Sequence, residues 1–367
     1  LAGTPDVAAT GVRIAAWDFP EESKLDLTIL LFLVQDGITN GAIYALLGFA
    51  LVLVFAVTRI IFIPQGEFVA YGALTYAMLQ NGQVPGTAYL LPIFAFAALV
   101  FDLVAERSRI TGPYLVKQGL EKIVLPLVLL FAARELAGVS AIASLVLTVA
   151  IVAAIGPHLY RVAFQPLADK SVLVLLIAAV GTHLAMIGLG LVFFGAEGQR
   201  ADALTDFSID LGPLPVSGQN IAVYAATVLL IGGLYWFFER TVQGKALRAT
   251  AVNRLGARLV GIRTRGSGKI ALSLAAGIGA ISGVLLAPMA TIYYDTGFVI
   301  GLKGFVAAII GGLASYPLTA AAAIAVGLIE SFSSFFASDY KEVIVFTLLI
   351  PVLMVRSFTS NHSDDED

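Results

Sequence analysis

The chain has 367 residues, 59% of them hydrophobic and 13% charged, with a mean hydropathy of +0.91. Soluble domains carry roughly 45–50% apolar and 25% charged residues, so a soluble globular fold is excluded and a polytopic membrane protein indicated. The formal net charge of −3 says little, because Asp364, Asp365, Glu366 and Asp367 form a solvated tail, and the lack of cysteine removes disulfides, thiolate metal sites and a thiol nucleophile.

Residues 1–26 mix Asp, Pro, Glu and small residues without a basic start followed by an apolar core, so no cleavable signal peptide is expected there. From residue 27 the chain turns oily. A crossing helix needs about 20 mostly apolar residues for a hydrocarbon core about 30 Å thick. Segments of that character fall near 28–57, 67–80, 87–105, 120–136, 140–157, 171–196, 220–238, 270–292, 299–313, 317–337 and 340–355. The fold class is therefore all-α, a polytopic helical membrane protein with about 9–11 hydrophobic segments. Segments 67–80 and 299–313 are short and read as half-helices or re-entrant pieces, which a bilayer tolerates only where their backbone is buried in protein or lines a cavity. The chain divides into a polar start at 1–26, a membrane body at 27–356 and an acidic tail at 357–367.

Loop charge sets orientation. Segment 105–122 carries Arg107, Arg109, Lys117 and Lys122, and segment 239–269 carries Arg240, Lys245, Arg248, Arg254, Arg258, Arg263, Arg265 and Lys269 against Glu239 alone. Both are placed in the cytoplasm. Segment 197–219, with Glu197, Asp202, Asp206 and Asp210 against Arg200, falls outside, and the tail after Arg356 falls inside. Gly212, Pro213, Pro215 and Gly218 mark the outer segment as turns rather than strand or helix. Gly66–Tyr71 weakly resembles Lys303–Ala308, and paired short segments of this kind point toward a substrate path in transporters.

Small residues recur where helices must approach closely: Ala275, Gly279 and Gly283, Gly311 and Gly312, Gly41 and Gly48. Packing within the subunit is their leading explanation. The stretch around Gly277, Gly279 and Gly283 fails the dinucleotide fingerprint, since its third glycine is one residue late and no strand precedes it. Gly244-Lys245 and Gly268-Lys269 fail the P-loop pattern, with Glu239 and Arg263 where the first glycine belongs. Any ATP-driven role needs a separate nucleotide-binding subunit. His158, His183 and His362 are too scattered for a metal site, and nothing in the charge pattern asks for nucleic acid.

Asp36, Gln65, Glu67, His183, Lys303 and Glu330 are polar residues within or beside spans, where they face a bundle interior or a cavity. Glu330 lies well inside its span and reads first as a structural contact, with Lys303 as its partner. His183 reads as a packed interior histidine, because no acidic relay accompanies it in sequence. The basic segment from Lys245 to Gly261 carries a helix-compatible run. One unbroken helix would mix Arg254 and Arg258 with Leu247 and Leu255 on one side, so a break at Gly256 into two short helices is expected, a shape suited to docking into a groove of another protein.

Several segments taken in order resemble the permease subunits of branched-chain amino acid ABC importers, the LivH and LivM type. They are residues 40–73 (NGAIYALLGFALVLVFAVTRIIFIPQGEFVAYGA), 160–167 (YRVAFQPL), 244–262 (GKALRATAVNRLGARLVGI), 301–317 (GLKGFVAAIIGGLASYP) and 340–355 (YKEVIVFTLLIPVLMV). The resemblance implies a multi-pass protein of the bacterial inner membrane that works with a second permease, two cytoplasmic ATP-binding subunits and a periplasmic substrate-binding protein. ATP and Mg would be bound by those ATPase subunits, with no cofactor in this chain and no catalytic residue. It also implies that Lys245, Arg248, Ala249, Ala251, Arg254, Gly256, Arg258 and Gly261 form the ATPase-coupling element, a degenerate EAA loop. Gly66, Glu67, Gly304 and Glu330 are the candidates for the substrate path. The family's usual Asn-Phe-Ala-His-Gly-Glu reads here Phe62 to Glu67 with Asn and His replaced, and residues about 100–157 resemble an insertion. Branched-chain or related amino acids are the expected cargo, with urea, amides or aromatic acids as the alternative. An ion-coupled secondary transporter is disfavoured by the sparse acids, and a membrane enzyme by the absence of a nucleophile–base or metal cluster.

Overall fold

The structure, a computed structural model, describes residues 27–105, 112–205, 207–211, 214–262 and 264–359. The polar start at 1–26, Arg107, Arg109, Asp206, Gly212, Pro213, Arg263 and the acidic end beyond Thr359 lie outside the described residues. Among the described residues, seven helices are long and apolar enough to cross a membrane.

The central element is α1 (Leu27–Thr58), whose apolar residues run all round its circumference. A helix apolar nearly all round belongs in a core rather than at a surface, and from Ala42 to Val54 every residue is buried. Around it stand α2 (Gln65–Gln80), α3 (Gly86–Ala105), α6 (Ala141–Leu159), α7 (Val172–Phe194), α8 (Gly218–Arg240), α11 (Thr264–Leu286), α12 (Gly297–Ile310) and α13 (Tyr316–Phe336). A peripheral pair, α4 (Gly112–Gly119) and α5 (Leu125–Leu136), is joined through a π turn at Leu120–Val124, and the chain closes with α14 (Lys341–Thr347) and α15 (Leu349–Thr359). Without water to drive apolar association inside a bilayer, close backbone approach does the packing. Side chains at Gly37 and Gly41 would collide with the backbone of α13 at Leu328 and Ile324, and one at Gly283 with the backbone of α2. The small-residue stripe of α11 is thus filled by α2, within this subunit.

Segments 67–80 and 299–313 are the half-helices α2 and α12. Gln65, at the start of α2, donates from Nε2 to the Ala275 carbonyl midway along α11 at 3.0 Å. At the other end Gln80 Oε1 accepts from the Asp202 amide of the outer segment at 2.9 Å. The start of α12 meets the start of α2: a Cβ on Gly66 would run into the Gly297 carbonyl, and one on Gly301 into Gly66. From there α12 runs to the opposite end of the bundle. Two helix N-termini therefore cross near mid-depth, buried in protein as a bilayer requires.

Exchanging α1 with α11, α2 with α12 and α6 with α13 preserves which helix packs on which: α1 holds α12 and α13 as α11 holds α2 and α6, while α2 meets α12 and α1 meets α11. The paired helices run in opposite directions, the arrangement of an inverted repeat. The short segments correspond as elements, but Gly66 stands in the first turn of α2 and Gly304 in the middle of α12, so their sequence likeness is not the structural register.

The outer segment departs from the expectation of turns alone. It forms an antiparallel hairpin, β1 (Ser208–Leu211) and β2 (Leu214–Ser217), with Ile209 opposite Val216. The alternation Ser208-Ile209-Asp210-Leu211 is a strand period that the glycines and prolines around it masked.

Candidate functional site

The basic segment folds into α9 (Val242–Val252) and α10 (Arg254–Leu259), followed by the start of α11. Thr241 caps α9, its Oγ1 accepting from the Gly244 amide at 2.9 Å. A side chain at Gly244 would strike the Phe237 carbonyl, so α9 folds back tightly on the end of α8. Its inner face buries Leu247 against Leu53, Val57 and Ala271. The helix breaks at Asn253, not at the expected Gly256. Asn253 is extended (φ −148°, ψ 101°) and its Oδ1 accepts from the Gly256 amide at 2.8 Å. A side chain that offers the backbone a cap ends one helix and starts the next, whereas Gly256 sits inside α10. Gly261, at φ +84°, closes it.

The arginines of this element are engaged with their own chain. Arg248 Nη2 donates to Glu239 at 2.5 Å, Arg254 Nη1 to the Ala168 carbonyl at 3.0 Å and Arg258 Nη2 to Asp169 at 2.8 Å. Facing outward instead is an aliphatic ridge, Val252, Leu255, Leu259 and Val260, each between 68% and 80% exposed. Sequence reasoning weighed the charges and missed this ridge; the signal was four aliphatic residues in a segment otherwise basic. Lys245, Ala249 and Ala251 lie on α9 with Arg248. Behind α9, between α1, α8 and the start of α13, is an apolar cavity of about 600 Å³ lined in part by Leu53, Phe238, Leu247 and Tyr316.

The path candidates fall into two groups, one at the start of α12 and one further along it. Gly66 and Glu67 lie at the crossing. Glu67 is fully buried, with Oε1 3.1 Å from His183 Nδ1. That distance places carboxylate and imidazole within ion-pair reach, while their alignment makes no hydrogen bond and leaves both carboxylate oxygens without a hydrogen-bond donor. The Phe298 ring, from the first turn of α12, packs on His183 with centroids 4.7 Å apart. His183 therefore does have an acidic companion, supplied from α2 and invisible in local sequence. In the second group Gly304 lies close against Leu47 and Gly48 of α1. The adjacent Lys303 pairs with Glu330, as the sequence suggested, and Tyr44 donates to the same carboxylate at 2.5 Å.

A third buried cluster was not foreseen. Asp102 of α3 pairs with Lys122 and with Arg161, and Lys122 also donates to the Ala98 carbonyl at 3.1 Å. Lys122, counted above with a cytoplasmic connection, is buried. Lys122 and Arg161 each stand in a π turn, at Leu120–Val124 and Tyr160–Phe164. Such turns re-aim side chains out of the regular helical spacing, which is why a helical wheel does not reveal the cluster.

Half-helices meeting inside an inverted bundle, with a folded element on its basic end, define the class: a multi-pass permease of the bacterial inner membrane. The chain belongs to the family described as branched-chain amino acid transport system / permease component, whose model matches residues 33–353. It is 25% identical over 328 residues to the high-affinity branched-chain amino acid transport system permease protein BraD of Pseudomonas aeruginosa, covering 88% of this chain and 92% of that one. It is 26% identical over 335 residues to LivH, the permease protein of the corresponding system of Escherichia coli K12, covering 89% and 94%. A shorter likeness, 31% over 88 residues, covers 24% of this chain and 26% of the autoinducer 2 import system permease protein LsrC of Shigella flexneri. No solved structure matches the chain.

Proposed function

We propose that this chain is a translocation subunit of an ATP-binding cassette importer that carries branched-chain or related amino acids inward. It pairs with a second permease, receives cargo from a periplasmic substrate-binding protein and is driven by two cytoplasmic ATPase subunits that bind the ATP and Mg. The observation that carries the coupling role is the ridge Val252, Leu255, Leu259 and Val260. Exposed aliphatic side chains on a basic, water-facing element mark a surface that a partner covers.

The connections of that ridge supply a route for motion. Through Gly244 and Thr241, α9 is fixed to the end of α8. Through Arg254 and Arg258, α10 is fixed to the Ala168–Asp169 segment that leads into α7. Displacing the ridge therefore pulls on α7, which holds His183 against Glu67 at the half-helix crossing. Two arrangements of the ATPases that differ in affinity for two positions of this element shift the bundle between two states. Gly66, Glu67, Gly304 and Glu330 line the path in this scheme, and the C-terminus lies in the cytoplasm. Since α6 takes the place that α13 takes in the opposite half, the insertion we propose narrows to α4 and α5.

Co-purification tests the coupling element. Leu255→Asp with Leu259→Asp is expected to abolish recovery of the ATPase subunits while membrane insertion stays intact, and Arg248→Glu with Arg254→Glu to do the same by releasing the element from its own chain. Normal ATPase recovery and normal uptake in both variants would sink the assignment.

A further inference from the structure

Asp36, Asn40 and Tyr44 stand four residues apart and share one face of α1. Asp36 is exposed although it follows the apolar run Ile29–Val34 inside a membrane-spanning helix. Asn40 Nδ2 donates to Asp36 Oδ2 at 3.3 Å. One turn deeper, Tyr44 donates to Glu330 Oε2, and Lys303 occupies Oε1 of the same carboxylate. A polar stripe thus descends from the outer part of α1 to a nearly buried Lys–Glu–Tyr cluster, with Lys303 6% and Glu330 8% exposed. Polar side chains on a spanning helix face protein or a water-filled passage, not lipid.

The surroundings of the Lys303 ammonium are specific. It pairs with a carboxylate and sits 5.8 Å from the centre of the Tyr44 ring. Anion and aromatic face together are the chemistry that recognises an alkylammonium ion.

We propose that Lys303 is a tethered stand-in for the ammonium group of the cargo, and that a passing amino acid displaces it from Glu330 along the Asp36–Asn40–Tyr44 stripe. The inference rests on the amino-acid permease reading above and adds the group that is recognised and the residue that yields to it. The exchange is ionic: the cargo ammonium replaces the lysine ammonium on the same carboxylate, no covalent bond changes, and the lysine turns toward Asp36 or water.

Isoamylammonium, which has the ammonium and branched chain of leucine without its carboxylate, serves as the probe. Thermal stabilisation of the purified permease is read against the same concentration of isoamyl alcohol. Lys303→Met removes the tethered competitor and is expected to lower the half-effective concentration of isoamylammonium by at least about tenfold, the scale of one charged hydrogen bond. Glu330→Gln is expected to abolish the response. Because either variant alone can fail to fold, Lys303→Met with Glu330→Gln removes both charges together. That double variant is expected to keep the wild-type melting temperature without ligand and to show no ammonium response. Equal ammonium sensitivity in wild type, Lys303→Met and the double variant overturns the inference. Failure of the parent reading appears separately, as a complete wild-type transporter that moves no aliphatic amino acid.

Discussion

Oε1 of Glu67, in the first turn of the half-helix α2, lies 3.1 Å from Nδ1 of His183 at the middle of α7. This contact joins the crossing of the two half-helices to a spanning helix whose near end is tied to the basic element. Removing the imidazole takes away the polar group set against that buried carboxyl, and a buried polar group left without its partner costs about 1–3 kcal/mol.

His183→Ala is therefore expected to lower the melting temperature of the purified protein sharply. Glu67→Gln in the same background should recover most of the loss, since a neutral amide is cheaper to bury without a partner than a carboxyl group that can ionise. Strict additivity of the two single changes in a double-mutant cycle would show that the two groups do not interact.

Gly66→Ala forces a methyl group into the Gly297 carbonyl, with backbone on both sides and no side chain able to yield. Overpacking of this kind is destabilising by about 1–3 kcal/mol, and thermal melts should show it. Gly181→Ala on α7, where a Cβ meets nothing within 4 Å, is expected to be neutral or to stabilise by up to about 1 kcal/mol through helix propensity. Equal behaviour of the two variants would argue against a close crossing of α2 and α12.

The Asp102 cluster predicts an asymmetry. Asp102→Asn leaves Lys122 and Arg161 buried without an acid, whereas Lys122→Met leaves Asp102 paired with Arg161. The first should lose about 3–5 kcal/mol and the second clearly less, as read by melting temperature and yield of monodisperse protein. A reversed order would remove Asp102 as the centre of the cluster.

At the break between α9 and α10, Asn253→Ala removes the cap on the Gly256 amide. The expected loss is about 1 kcal/mol of local stability, visible as faster hydrogen exchange across residues 254–259, with Asn253→Asp restoring protection. Unchanged exchange would show that packing alone holds α10.

The membrane body and nearly every hydrophobic segment were legible in the sequence, because apolar runs have a length scale set by the bilayer. The half-helices were legible too: a run as short as Gln65–Gln80, 16 residues, leaves few other options. Apart from the Lys303–Glu330 pair, what escaped was whatever depends on long-range placement. His183 and Glu67 are far apart in the chain, so their pairing has no local signature. Lys122 and Arg161 reach Asp102 only because π turns shift their direction. The hinge of the basic element was assigned to Gly256 on flexibility, while the operative feature was the capping side chain of Asn253. The charges of Arg254 and Arg258 drew attention away from the aliphatic ridge beside them, because sequence shows what a loop carries and not which way it points.

The central claim is that this permease moves amino acids by coupling to separate ATPases. Uptake of radiolabelled leucine into proteoliposomes tests it most directly, using this chain with the second permease, ATPases and binding protein proposed for it. The account predicts uptake that requires ATP and the binding protein and disappears in Leu255→Asp with Leu259→Asp. Uptake by this chain without the ATPases, driven by an ion gradient, would contradict it.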